Sequence, residues 1–282
     1  MLTPEQLKGR IRNLAKENGL SSQEVLQMYL FEHVLARLAR SPYKDNFILK
    51  GGFLIASMIG VNERTTMDMD TTVQGIPMQK DAIEKIITEI LAIDLEDGIE
   101  FTFDRIAEIR EDADYNNFRA FFNARYGRIN NPMKMDITTG DEITPSAIEY
   151  SYKTMFEDEE IGIKAYNLPT ILAEKYETVI RRNIGNTRAR DFYDLYVLYN
   201  LNKDALDYDT FAEAVKRTSE NRNSLEDMLD AESIIEDISN EDALKELWAS
   251  YQNEYAFSQN ISYDDIIGCI TEIRLILDLR LK

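Results

Sequence analysis

Cysteine and histidine are nearly absent from this 282-residue chain, which holds one of each. A single cysteine, Cys269, can neither close an internal disulfide nor build a cysteine-based zinc cluster, a usage that fits a reducing cytoplasm. It lies in the apolar run 266–270 and is expected to be a buried small hydrophobe. His33 has no second histidine to form a two-histidine metal site with, and a structural place on a helix is expected for it. Positive charge is short as well: 32 Lys and Arg stand against 51 Asp and Glu, a formal charge of −19. This argues against broad, non-specific binding of DNA or RNA. Any nucleic-acid contact must use a local patch such as 181-RRNIGNTRAR-190, whereas a basic partner would be attracted. Long apolar runs are also missing. None approaches the ~20 residues of a membrane span, and the opening Met-Leu-Thr-Pro-Glu-Gln lacks the basic-then-apolar order of a secretory signal. The expectation is a soluble cytoplasmic protein, with chain enough for one large domain or two modest ones.

What is present concentrates in 46-NFILKGGFLIASMIGVNERTTMDMDTTVQG-75. A short apolar strand (Phe47, Ile48, Leu49) runs into Lys50-Gly51-Gly52, then into an apolar helix over 53–59. A turn over 60–63 leads to a second strand carrying Asp68-Met69-Asp70. Side chains alternate across a strand, so Asp68 and Asp70 project to one face. Adjacent carboxylates repel unless a cation lies between them, and Mg²⁺ with its preference for oxygen ligands suits the place. The glycines lack Cβ atoms, so backbone can approach a phosphate closely, and the first N–H groups of the following helix favour an anion. Alone, Gly-Gly is most often a turn and Asp-x-Asp a solvated strand edge. Together, with strand periodicity kept by Met67, Met69 and Val73, they describe a site for a metal-bound triphosphate.

Helices are expected over 3–18 and 21–41, each opened by capping residues (Thr3 with Gln6, Ser21 with Glu24), and over 79–93. Alternation predicts strands within 98–128, joined by the polar connection 107–117. A turn over 127–132 precedes a strand over 133–141 that carries Asp136 opposite in face to Met133, Met135 and Ile137. The cluster 157-EDEE-160 reads as a solvated loop. From 166 onward the pattern is helical only, over 169–184, 188–201, 208–220, 224–236, 240–256 and 262–281. The acidic stretch 226–242 reads as helix surface and a docking face for something basic.

Gly51-Gly52, Arg64-Thr65 and Asp68-x-Asp70 resemble the motif of the AbiEii/AbiGii toxin family of nucleotidyltransferases, relatives of the DNA polymerase β superfamily. Many nucleotidyltransferases carry Ser where this chain has Gly52, so one hydroxyl contact to phosphate is replaced by backbone N–H groups. A second resemblance follows in Ala173-Glu174-Lys175 and Arg190-Asp191-Phe192-Tyr193-Asp194-Leu195. The resemblance spans roughly 46–200 and implies a fold of two parts. An α/β nucleotidyltransferase domain with a mixed sheet over 1–165, the first two helices packed on it, would precede an all-α domain over 166–282 that completes the active site.

It also implies roles. Asp68, Asp70 and Asp136 would bind Mg²⁺, Asp136 alternatively acting as general base. Lys50, Gly51, Gly52, Arg64, Thr65, Lys175, Arg188 and Arg190 would hold the NTP. Asp191 and Asp194 share a helix face, i and i+3, and would orient Lys175 or bind metal or sugar directly. Arg181 and Arg182 add to the positive charge beside them. The activity so implied is transfer of NMP from an NTP to RNA, at the 3′ end of tRNA, by the toxin of a toxin–antitoxin or phage-abortive system. A basic cognate antitoxin, of a kind that can bind DNA, would be its partner. Two alternatives remain open from the residues: an NTP-dependent kinase acting on a protein such as the antitoxin, and a nucleotide-binding regulator without turnover.

Overall fold

The computed structural model describes residues 2–109 and 117–280. The chain divides into two compact units, Met1–Gly140 with Ile148–Ala165, and Asp141–Ala147 with Tyr166–Lys282.

The first unit begins with α1 (Pro4–Asn18) and α2 (Ser22–Arg40), both opened by reciprocal capping boxes, Thr3 with Gln6 and Ser21 with Glu24. There follow β1 (Phe47–Lys50), α3 (Gly51–Ile59), β2 (Met69–Val73) and α4 (Lys80–Leu91). Then come β3 (Glu100–Ile109), β4 (Asn117–Tyr126), β5 (Ile129–Thr138), β6 (Ile148–Lys153) and β7 (Glu160–Ala165). All seven strands form one mixed sheet in the order β3-β4-β5-β2-β1-β7-β6. The pairs β2–β5 and β1–β7 are parallel and the others antiparallel.

Strand alternation divides this sheet by chemistry. Leu49, Met69, Phe118, Ala120, Phe122, Met133, Met135 and Ile137 go to the core, together with the apolar stripes of α2 and α4. Their neighbours Arg119, Phe121, Lys134, Asp136 and Asp70 take the opposite face and keep partial exposure. That polar face carries the site.

The lone His33 has the structural place expected of it. Its Nδ1 lies 2.8 Å from Asp97 Oδ2, and Arg37 donates to both oxygens of the same carboxylate at 2.7 and 2.8 Å. Burial pushes Asp97 upward, but the hydrogen bonds from His33 and Arg37 prevail and hold it well below the usual carboxylate range.

Three expectations need correction. β5 starts at Ile129, so the turn expected over 127–132 is shorter and Pro132 lies inside a strand. Pro132 is tolerated because β2 flanks β5 only from Met135 onward, and the missing N–H falls where no strand needs it. β6 and β7 were not anticipated, and Glu160 of the acidic cluster opens β7. Of the polar connection expected over 107–117, β3 takes residues up to Ile109 and β4 takes Asn117; residues 110–116 lie outside the described ones.

The second unit is helical: α5 (Leu168–Arg182), α6 (Ala189–Asn202), α7 (Tyr208–Asn221), α8 (Leu225–Leu229), α9 (Ala231–Asn240), α10 (Asp242–Glu254) and α11 (Tyr263–Asp278). The helix expected over 224–236 is two helices. Asp230 leaves helical geometry between them, which lets Ile234, Ile235 and Ile238 of α9 turn inward. Cys269 is buried on α11 as expected, and burial pushes its thiol up to about 12. Among the described residues no helix is long and apolar enough to cross a membrane.

Candidate active site

Register, rather than any single strand, assembles the polar face. Asp70 on β2 stands beside Asp136 on β5, beside Lys50 on β1 in the other direction, and Asp136 in turn beside Arg119 on β4. Directly opposed residues on paired strands share a face. The row across four strands therefore reads Arg119, Asp136, Asp70, Lys50, two carboxylates between two cations.

Arg119 grips Asp136 with two bonds, Nε to Oδ1 at 2.6 Å and Nη2 to Oδ2 at 2.7 Å. That bidentate hydrogen bonding keeps the guanidinium above even its ordinary range. Asp68 lies just before β2, two residues ahead of Asp70, and Lys134 Nζ approaches its Oδ1 to 2.7 Å. The pair lacks hydrogen-bond geometry, so this buried oxygen has no hydrogen-bond partner.

The glycine turn is built against these carboxylates. Gly51 opens α3 with φ +69°, a conformation that L side chains rarely adopt, and a Cβ there would lie 2.1 Å from Asp70 Oδ2. At Gly52 a Cβ would meet Thr66 Oγ1 at 3.0 Å and Arg64 Nη2 at 3.1 Å. No side chain caps α3, so its first N–H groups remain available to an anion. Arg64 and Thr65, expected to hold nucleotide, are buried in the brace around this turn. Arg64 donates to the Thr65 carbonyl, and the Thr65 hydroxyl donates to Glu24 Oε1 of α2 at 3.0 Å.

Oxygen donors on neighbouring strand positions suit a hard divalent cation, and Asp68 Oδ1, which accepts no hydrogen bond although Lys134 stands 2.7 Å away, is one such donor. Yet Asp136 and Asp68 each face a cation of the chain, and among the described residues no three acidic, histidine or cysteine side chains gather closely enough to hold a metal. The countercharge that the sequence demands is met here by Arg119 and Lys134. Neither residue was singled out beforehand. Lys134 shares a strand face with Asp136 two residues on and could have been found; Arg119 needed the β4–β5 register.

The second group of expected residues lies in the helical unit. Lys175 on α5 reaches Asp191 Oδ1 and Asp194 Oδ2 of α6, both at 2.7 Å. Both carboxylates are fully buried, whereas the Lys175 side chain keeps 13% exposure. Arg188 Nε stands 2.9 Å from the other Asp191 oxygen, and Arg190 is exposed. The i, i+3 spacing thus gives a cage around the ammonium. Glu174, next to Lys175, pairs with Arg222 at 2.7 Å; Arg222 also grips the buried Glu177 at 2.7 Å. Arg181 pairs with that same Glu177, so its charge is already used within its own helix.

A crystal structure of a candidate nucleotidyltransferase from H. pylori superposes with a TM-score of 0.50 at 17% identity, covering 93% of this chain and 99% of that one. JHP933 from Helicobacter pylori gives 0.51 at 17% identity, over 93% and 96% of the two chains. At that identity the likeness establishes the fold. No curated protein sequence matches the chain. The sequence model of one family, described as "Nucleotidyl transferase AbiEii toxin, Type IV TA system", matches residues 33–268. The chain belongs to the AbiEii family of nucleotidyl transferase toxins.

Proposed function

We propose that this toxin transfers NMP from an NTP to an RNA acceptor, the 3′ end of tRNA, with Mg²⁺ as its metal, and so arrests growth. The observation that carries the reading is the register of Asp70 beside Asp136, with Asp70 packed on the Gly51 backbone. Phosphates held at the start of α3 would lie next to the paired carboxylates. Asp68 and Asp70, with Asp136, would hold the metal, which when bound neutralises phosphate charge and lowers the pKa of a coordinated hydroxyl. In the reaction the acceptor oxygen bonds to the α-phosphorus, the bond to the β-phosphate breaks, and pyrophosphate leaves. Where Asp136 does not bind the metal, it would take the hydroxyl proton, Arg119 having released it. Lys175 is assigned the positive charge that nucleotidyl transfer needs, and Asp191 and Asp194 fix its ammonium. Arg188 and Arg190 are assigned to phosphate. The antitoxin partner is expected to be basic, to match the −19 charge.

The test is incubation of the protein with total bacterial RNA, Mg²⁺ and each α-phosphate-labelled NTP in turn. Label on tRNA-sized RNA, lost in Asp70→Ala, is the expected result. NTP binding without label on any RNA would overturn the reading in favour of a protein-directed kinase or a regulator without turnover.

A further inference from the structure

On the polar face of the sheet, the ring of Phe121 on β4 lies within a group of three cations. Arg105 of β3 is its opposed neighbour on one side and Lys134 of β5 on the other, while Arg119 precedes it by two residues on its own strand. The Arg105 guanidinium carbon sits 3.7 Å from the Phe121 ring centroid, so the two groups are stacked. The Arg105 side chain is 59% exposed, and among the described residues its ion pair is with the similarly open Asp104 at 3.0 Å. Such a surface pair holds the charge only weakly. Arg119 is tied to Asp136 and Lys134 to Asp68, so the cation presented to a ligand is Arg105 on its ring, and a guanidinium stacked on an aromatic is a surface that unpaired bases use.

Its position supplies the purpose. Phe121 is paired with Lys134, and Asp136 follows Lys134 on the same face, so the stack lies one diagonal step of the sheet, ~7–8 Å, from Asp136. Bases of single-stranded RNA stack on aromatic rings and on guanidinium planes, and their phosphates seek the cations alongside. Within a duplex the base faces are stacked on one another, and the terminal pair is not free to splay onto a ring.

We propose that the Arg105–Phe121 stack is the platform for the unpaired 3′-terminal base of the RNA acceptor, placing its hydroxyl beside Asp136. The inference rests on the transfer reading for its purpose but not for its test. Arg105 and Phe121 stand outside the carboxylate and phosphate machinery.

The experiment measures fluorescence anisotropy of a short labelled single-stranded RNA with a free 3′ end, on the full chain. It compares wild type with Arg105→Ala, Arg105→Lys and Phe121→Leu, alongside binding of a fluorescent Mg·NTP. Arg105→Ala and Phe121→Leu are expected to weaken RNA binding roughly 5- to 150-fold, the range of one base stack, with NTP binding unchanged. Arg105→Lys should keep the salt dependence and still lose most of the stacking part. Blunt duplex RNA should bind weakly, and alike in all four proteins. Unchanged RNA affinity in both Arg105→Ala and Phe121→Leu overturns the proposal. So does equal displacement of the RNA by polyglutamate, which would mark the face as a seat for an acidic protein segment. RNA binding that depends on the stack, in a protein that transfers no label, sustains the platform and sinks the transfer reading. Transfer of label with an unchanged acceptor KM in Phe121→Leu does the reverse.

Discussion

Changing Lys175 to Met should destabilise the helical unit as well as remove a charge from the chemistry. The ammonium is 2.7 Å from both Asp191 and Asp194, whose side chains are 2% and 0% exposed. Removing it strands two carboxylates away from water, and breaking a buried pair from one side costs about 3–5 kcal/mol. Arg188 still stands 2.9 Å from Asp191, which places the expected loss at the lower end, about 3 kcal/mol. Replacing all three residues, Lys175→Met with Asp191→Asn and Asp194→Asn, removes the charges together. Neutral groups of similar volume should bring stability back to within about 1–2 kcal/mol of wild type. Urea denaturation followed by circular dichroism measures both variants, and transfer of label from NTP measures function. The expected pattern is a destabilised single variant, a restored triple variant, and no transfer in either. A Lys175→Met protein as stable as wild type would refute the cage. Transfer by the stable triple variant would refute the catalytic role of Lys175, Asp191 and Asp194 together.

Glu32 on α2 is buried, with its Oε1 accepting from Tyr152 Oη at 3.0 Å and from the Met155 N–H at 2.9 Å, and burial lifts its pKa from 4.5 to about 8. A raised acid binds its proton in the folded state where the unfolded chain has lost it, so stability is fullest below pH 4.5 and falls as pH rises to about 8. Between pH 6 and 8 this group should remove about 2 kcal/mol, and Glu32→Gln should flatten that slope in urea melts; equal slopes would contradict the burial argument. Gly51→Ala should cost about 1–2 kcal/mol for its left-handed backbone, and it should abolish transfer because its Cβ would fall 2.1 Å from Asp70 Oδ2. Full transfer by Gly51→Ala would show that this approach has no part in the reaction. Arg222→Ala removes a partner of the buried Glu177 and of Glu174, and should destabilise the helical unit by roughly 2–4 kcal/mol, read by urea melts.

Local signals proved the most legible. Capping boxes at Thr3 and Ser21 and the Gly-Gly entry to α3 act over a few residues and stand where the sequence puts them, whereas the strand expected to carry Asp68 begins only at Met69, with Met67 exposed ahead of it. β6 and β7 escaped although Ile161, Ile163 and Ala165 alternate inward, because the acidic cluster just before them reads as loop. Pro132 hid the start of β5, since its cost depends on how far the neighbouring β2 extends, and a single strand cannot show that. The site divides the same way. That two neighbouring carboxylates need a cation follows from their spacing alone. Which cation answers depends on register between β4, β5 and β2, segments far apart in the chain. The structure answers with Arg119 on Asp136 and Lys134 on Asp68. Any metal bound through Asp136 or Asp68 Oδ1 therefore competes with cations of the chain itself, and those two side chains flank Phe121, on the face where the acceptor is proposed to lie.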